Sequence, residues 1–163
     1  MDISTRQIQS QDLLTLAEVF ADAYKPENTG EHWTIETAFE VVKYWHNRAP
    51  KDLQILAEID HNIIGAFFVD VKPWWNGHRM IDGEFFVLTD YQKLGAGKKM
   101  LKELVNIAKE KYKCTCFETI TFMPEDAHPM KWYKNIGFEK DESLVVINAN
   151  IDIIQENLES TQF

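Results

Sequence analysis

The chain has 163 residues, 45% of them hydrophobic and 12% aromatic, with a formal net charge of −9. That is enough for one domain with a real core, spanning 1–163. It is too apolar for a disordered chain, and too acidic for nucleic acid to be the main partner. No stretch reads as a signal peptide and no apolar run approaches the ~18 residues of a membrane span, so the expectation is a cytoplasmic protein that engages no membrane.

In chain order, DISTRQI at 2–8 alternates as a strand. Residues 11–24 place Leu13, Leu14, Leu16, Ala17, Phe20 and Tyr24 at helical spacing behind Ser10, a plausible N-cap. KPENTGEH at 25–32 is a polar break. A second helix over 34–47 carries Ile35, Ala38, Phe39, Val42 and Trp45 on one stripe and stops before Pro50. The period then changes to two. LQILAEI at 53–59 and IIGAFFVDV at 63–71 read as a hairpin about His61-Asn62, KPWWNGHR at 72–79 as a loop, and MIDGEFFVL at 80–88 as a fourth strand. An amphipathic helix over 97–112 follows, then a strand at 116–122, a short helix at 127–135 with Gly137 as its C′ residue, and a last strand, SLVVINANI, at 143–151. The pattern is a mixed α/β domain. The two cysteines, Cys114 and Cys116, stand two apart in a strand-like stretch, where they cannot easily bridge, and no accompanying CxxC or His cluster suggests a metal site.

The charge is uneven. Residues 92–113 carry seven lysines and two glutamates, a local +5 in an acidic body. Within this segment Gly95-Ala96-Gly97-Lys98 joins a strand to a helix. Such a junction offers free backbone N–H groups at the positive end of a helix dipole. It is not a Walker A loop, because Gln92 and Lys99 stand where Gly and Ser/Thr are needed. Nor is it a dinucleotide fingerprint, because Met100 stands at the third glycine position. Lys98 and Lys99 in the first turn oppose the macrodipole, at about 0.3–1 kcal/mol each when exposed. A helix start without a side-chain cap and biased to positive charge suits an external polyanion. A tight turn with solvated lysines is the alternative.

Gln92-Lys93-Leu94-Gly95-Ala96-Gly97 fits the (Arg/Gln)-x-x-Gly-x-(Gly/Ala) motif of the GNAT superfamily of acetyl-CoA-dependent N-acyltransferases, and FFVLTDYQKLGAGKKML resembles the strand–loop–helix around it. WYKNIGF at 132–138 resembles a second element of that family, some forty residues downstream, and the element order matches over nearly the whole chain. The resemblance implies a single mixed, mostly antiparallel sheet of six to seven strands flanked by about four helices. It also implies acetyl-CoA as the acyl donor. The pyrophosphate of CoA would lie on main-chain amides of Lys93, Leu94, Gly95, Ala96, Gly97 and Lys98, with Gln92 orienting the loop. Phe85 and Val87 would offer main-chain groups to the pantetheine arm.

By the same resemblance Tyr133 is the general acid for the leaving thiolate. Glu84, on the fourth strand, is the first candidate for the base, and Asp82, two residues earlier, is the runner-up. Asp126 stands where many family members carry an Asn that helps hold the cofactor arm; capping the short helix is its other use. The acceptor rim would hold Tyr24, Trp33, Trp45, Trp74 and Trp75 with Glu27, Glu31, Glu36 and Asp126, suited to a cationic amine on a small molecule or peptide. The expected function is N-acetylation of a primary amine by direct attack; an acyl-CoA-binding module without turnover is the alternative. INANIDIIQENL would complete the sheet or pair with a second copy as a homodimer.

Overall fold

Residues 2–122 and 128–160 are described by a computed structural model; for Asp82 and Ser160 the description covers the backbone. The chain divides into two units, Met1–Ile120 and Thr121–Phe163.

In the first unit the order is β1 (Ile3–Gln7), α1 (Leu13–Ala23), a single turn α2 (Pro26–Thr29), α3 (Ile35–Arg48), β2 (Gln54–Ile59), β3 (Asn62–Trp74), β4 (Gly77–Val87), α4 (Ala96–Glu110) and β5 (Cys114–Glu118). The strands form one sheet in the order β1-β2-β3-β4-β5, antiparallel except for the parallel β4–β5 pair. This is the expected mixed, mostly antiparallel sheet, with five strands among the described residues.

The helical stripes read from the sequence are mostly the buried ones, but Leu14 and Ile35, read as part of them, are exposed. Leu13, Leu16, Ala17 and Phe20 of α1 pack with Ala38 and Val42 of α3 onto Leu56, Ala66, Phe68 and Phe86 of the sheet. Burying a side chain of this size stabilises the fold by about 1.5–3 kcal/mol. Phe67 and Phe85 alternate with Phe68 and Phe86 and stack on the other face, centroids 4.3 Å apart. α4, with Met100, Leu104 and Ala108 fully buried, lies against β2 and β3 there.

The caps differ in detail from expectation. Ser10 begins a 3-10 turn rather than capping α1, and the buried Asp12 accepts from the Gln9 amide at 2.8 Å. Arg6 grips Asp12 with both terminal nitrogens at 2.7 and 2.9 Å, and this guanidinium holds the carboxyl below its ordinary range despite the burial. Thr34 caps α3, its hydroxyl accepting from the Thr37 amide at 3.2 Å. Ala49 is extended because Pro50 follows it. Gln54 is fully buried and fully engaged: its amide nitrogen donates to the Ala49 and His46 carbonyls, and its oxygen meets His46 Nδ1 at 2.7 Å. A buried glutamine thus ends α3 and begins β2.

Two strand boundaries move. The β2–β3 turn uses Asp60 and His61, both at positive φ, one residue earlier than read. The stretch at 72–79 is not a loop: β3 runs on to Trp74, paired with Gly77 across a two-residue turn. Its charged residues look loop-like in sequence, yet Lys72 and Arg79 pair across the strands and both lie over the Trp74 ring, at 4.3 and 5.1 Å from its centroid.

The second unit holds α5 (Met130–Asn135) and α6 (Ile151–Ser160). Residues 144–150, expected as a strand, lie in none among the described residues. The residues from 151 onward are helical instead: Asn150 Oδ1 accepts from the Asp152 amide at 2.8 Å, and Ile151, Ile154 and Leu158 follow at helical spacing. No helix among the described residues is long and apolar enough to cross a membrane.

Candidate functional site

The pairing of β4 with β5 ends at Ile81↔Glu118, whereas β4 continues to Val87. Over Asp82–Val87 the strand keeps β3 on one side and has no β5 partner on the other. The direction of its groups follows from one hydrogen bond. The Leu88 amide donates to Ile64 of β3 at 2.9 Å, so by alternation the N–H and C=O of Val87 point away from β3. Gln92 reaches this open side, its side-chain nitrogen donating to the Val87 carbonyl at 3.1 Å. The expected orienting residue of the loop is therefore tied to the parted edge.

Between Gln92 and α4 the chain turns on two residues of positive φ, Lys93 at 64° and Gly95 at 99°. Open space surrounds the position of a Cβ at Gly95, so conformation rather than crowding calls for glycine there. Gly95 caps α4 without a side-chain bond, and the Lys99 amide donates back to its carbonyl at 3.0 Å. The amides of Ala96, Gly97 and Lys98 form the first turn and have no acceptor within the helix. They stand at the positive end of a fifteen-residue helix. The two lysines have different uses. Lys99 donates to the Ile3 carbonyl on β1, whereas Lys98 is exposed beside the free amides.

Glu84 sits opposite Phe68 of β3, and Asp82 opposite Val69, the next residue along. Gly83 is the extra residue of a β-bulge, so the two-residue period that would place Glu84 and Asp82 on one face is interrupted between them. The Asp82 side chain lies outside the described residues. The glycine has a steric cause: a Cβ at Gly83 would stand 2.5 Å from the Trp45 indole of α3. Gly83→Ala is expected to lower stability by about 1–3 kcal/mol through overpacking. The check is a lower urea midpoint at unchanged slope; an unchanged midpoint would mean the indole gives way freely.

On the α1 side of the sheet Tyr24 Oη lies 3.3 Å from Glu84 Oε2 and 3.1 Å from the Phe85 carbonyl. Phe20 stands between Tyr24 and Trp33, with centroids 4.6 and 5.0 Å away, and Trp33 donates to Glu31 at 2.8 Å. Tyr24, Trp33, Trp45 and Glu31 thus belong near Glu84 or to its aromatic surround. Trp74 and Trp75 do not: they form the far turn of β3–β4, ten residues along the strand from Val87, about 30 Å at strand rise.

In the second unit Tyr133 is the third-last residue of α5. The helix ends in a Schellman motif: Phe138 N–H donates to the Tyr133 carbonyl and Gly137 N–H to that of Lys134, both at 3.1 Å, with Gly137 at φ 101°. The Phe138 ring meets Tyr133 at 5.1 Å. Asp126 lies outside the described residues. The bulge was the local feature missed; the lone glycine inside an apolar strand was its signal. The bond from Tyr24 to Glu84 joins residues sixty apart and has no sequence signal.

The family model described as Acetyltransferase (GNAT) family matches residues 14–138. A curated relative from Bacillus subtilis subsp. natto, described as "Probable spermine N(1)-acetyltransferase", is 36% identical over 64 residues, 39% of this chain. The match spans 41% of that relative's length. Among solved structures, an integron cassette protein from V. cholerae superposes with a TM-score of 0.76 at 15% identity, covering 98% of this chain and 99% of that one. A predicted acetyltransferase from Clostridium acetobutylicum, solved with acetyl-CoA, gives a TM-score of 0.68 at 19% identity, covering 90% and 96%. These likenesses at low identity concern the fold.

Proposed function

This chain belongs to the GNAT family of acetyltransferases, and on that premise we propose that it moves an acetyl group from acetyl-CoA to a primary amine of a cationic small molecule or peptide, by direct attack. The observation that carries the reading is the parted edge of β4, joined through Gln92 to a glycine-started helix whose first amides have no acceptor within the helix. Acetyl-CoA supplies an activated thioester and a pyrophosphate. The chain's own groups suit both. The amides from Lys93 to Lys98, with the exposed Lys98 ammonium, suit the pyrophosphate. The open side of β4 at Phe85 and Val87 suits the pantetheine arm, and the Val87 amide suits the oxyanion.

The amine must lose a proton before it attacks, since an alkyl ammonium titrates near about 10.4. Glu84 takes that role, with Asp82 as the second candidate, and Tyr133 donates to the departing thiolate. A polyamine is the acceptor class to try first. Glu31 and Glu84 supply negative charge beside Tyr24 and Trp33, and the partial relative is described as a spermine acetyltransferase.

The test is calorimetric titration with acetyl-CoA, with 3′-dephospho-CoA and ATP as controls, followed by mass detection of acetylated spermine and a panel of other amines. Acetyl-CoA is expected to bind more tightly than either control, and an amine to gain one acetyl group. Failure of the folded protein to bind acetyl-CoA would overturn the reading. Binding without transfer to any amine would favour the acyl-CoA-binding module.

A further inference from the structure

A carboxylate that takes up a proton and gives it back needs a partner suited to both of its protonation states. Tyr24 is fixed at both levels. Its main chain is pinned at the end of α1, where its amide donates to Phe20 and its carbonyl accepts from Thr29 Oγ1, both at 2.9 Å. Asn28 adds a strut from the Ala23 carbonyl to Thr89 Oγ1, 2.9 Å on each side, between the end of α1 and the segment after β4. Its ring is set against Phe20 and Phe86. The phenol therefore arrives at β4 with little freedom, and its one proton has Glu84 Oε2 at 3.3 Å and the Phe85 carbonyl at 3.1 Å among the acceptors within reach.

We infer that Tyr24 is the positioning residue for Glu84, its phenol serving both protonation states of the carboxylate. This rests on Glu84 being the base of the proposed reaction. With Glu84 ionised, the phenol donates to Oε2 and stabilises the charge. When Glu84 takes up the proton of the amine, its new O–H donates to the phenol oxygen, and the phenol proton turns to the Phe85 carbonyl. No proton leaves Tyr24, and the carboxyl keeps a hydrogen bond to the phenol in both states. Along the sheet, Phe68 lies opposite Glu84 on β3, and Gly83 beside it lies under the Trp45 indole of α3.

The experiment uses full-length protein with carboxyl-13C glutamate. The Glu84 resonance is identified by its absence in E84Q and titrated in the parent and in Y24F, which keeps the ring in its aromatic setting. Loss of a donor to the ionised form should raise the proton affinity of Glu84 about tenfold. With acetyl-CoA and spermine, kcat/KM of Y24F should fall about tenfold on the acid limb and converge on the parent above it. A Y24F protein with a lower Tm and an unmoved Glu84 titration would reduce Tyr24 to packing and overturn the inference. E84Q tests the underlying reading separately. If it keeps the parent's turnover and acid limb, Glu84 is not the base, while the titration in Y24F still decides whether the phenol governs the carboxylate.

Discussion

Tyr133→Phe is expected to reduce turnover by about 10²–10⁴-fold, the usual contribution of a positioned general acid, while acetyl-CoA affinity stays close to that of the parent. The substitution removes one hydroxyl. It leaves the ring contacts with Trp132 and Phe138, and it leaves the Tyr133 carbonyl that closes the Schellman motif with Phe138. The helix end does not depend on the phenol, so a loss of rate with unchanged Tm reads the chemistry rather than the fold. A thiolate leaving without a proton is the step that suffers. An acyl donor with a thiol of lower pKa should therefore recover part of the lost rate in Y133F. Turnover equal to the parent at saturating acetyl-CoA would end the acid assignment.

Glu84→Gln is expected to lower kcat/KM at neutral pH by a similar factor, about 10²–10⁴-fold. Gln keeps the size of the side chain and an oxygen that can accept from Tyr24, so the position opposite Phe68 is retained and only the capacity to take a proton is lost. The sign of the pH dependence follows from the acceptor. An amine titrating near about 10.4 is almost wholly protonated at neutral pH and needs a base; as the pH rises it supplies its own free form. The deficit of E84Q should therefore shrink steadily toward high pH. A deficit constant with pH would point to substrate binding rather than proton removal. No deficit at all would move the base role to another group, with Asp82 next to be changed.

Much of the frame was legible because it is local. Helical spacing at Leu13, Leu16, Ala17 and Phe20, the Thr34 cap and the stop before Pro50 each depend on a few neighbouring residues, and the fold keeps them. The same holds for the two motifs read from the sequence. Positive φ at Gly95 and Gly137, a helix start with no side-chain cap, and a Phe behind the terminal glycine are conditions of backbone stereochemistry written into six or seven residues. The stretch at 143–151 was misread for a related reason. Leu144–Ile147 has strand composition, but a strand exists only where an edge receives it, whereas the Asn150 cap and the spacing after it specify a helix from within.

What only the tertiary structure decided is where these pieces meet. The point at which β4 leaves β5, the bulge at Gly83 under Trp45, the bond from Tyr24 to Glu84 and the grip of Lys99 on Ile3 join residues between 37 and 96 positions apart. They depend on register, and a one-residue insertion in a strand re-aims every side chain beyond it. Composition therefore suggested an aromatic and acidic rim, but strand length carried Trp74 and Trp75 to the far turn and left Tyr24 beside the carboxylate. The residue types and local turns come from the sequence itself; the distances between them come from which strands pair and where that pairing stops.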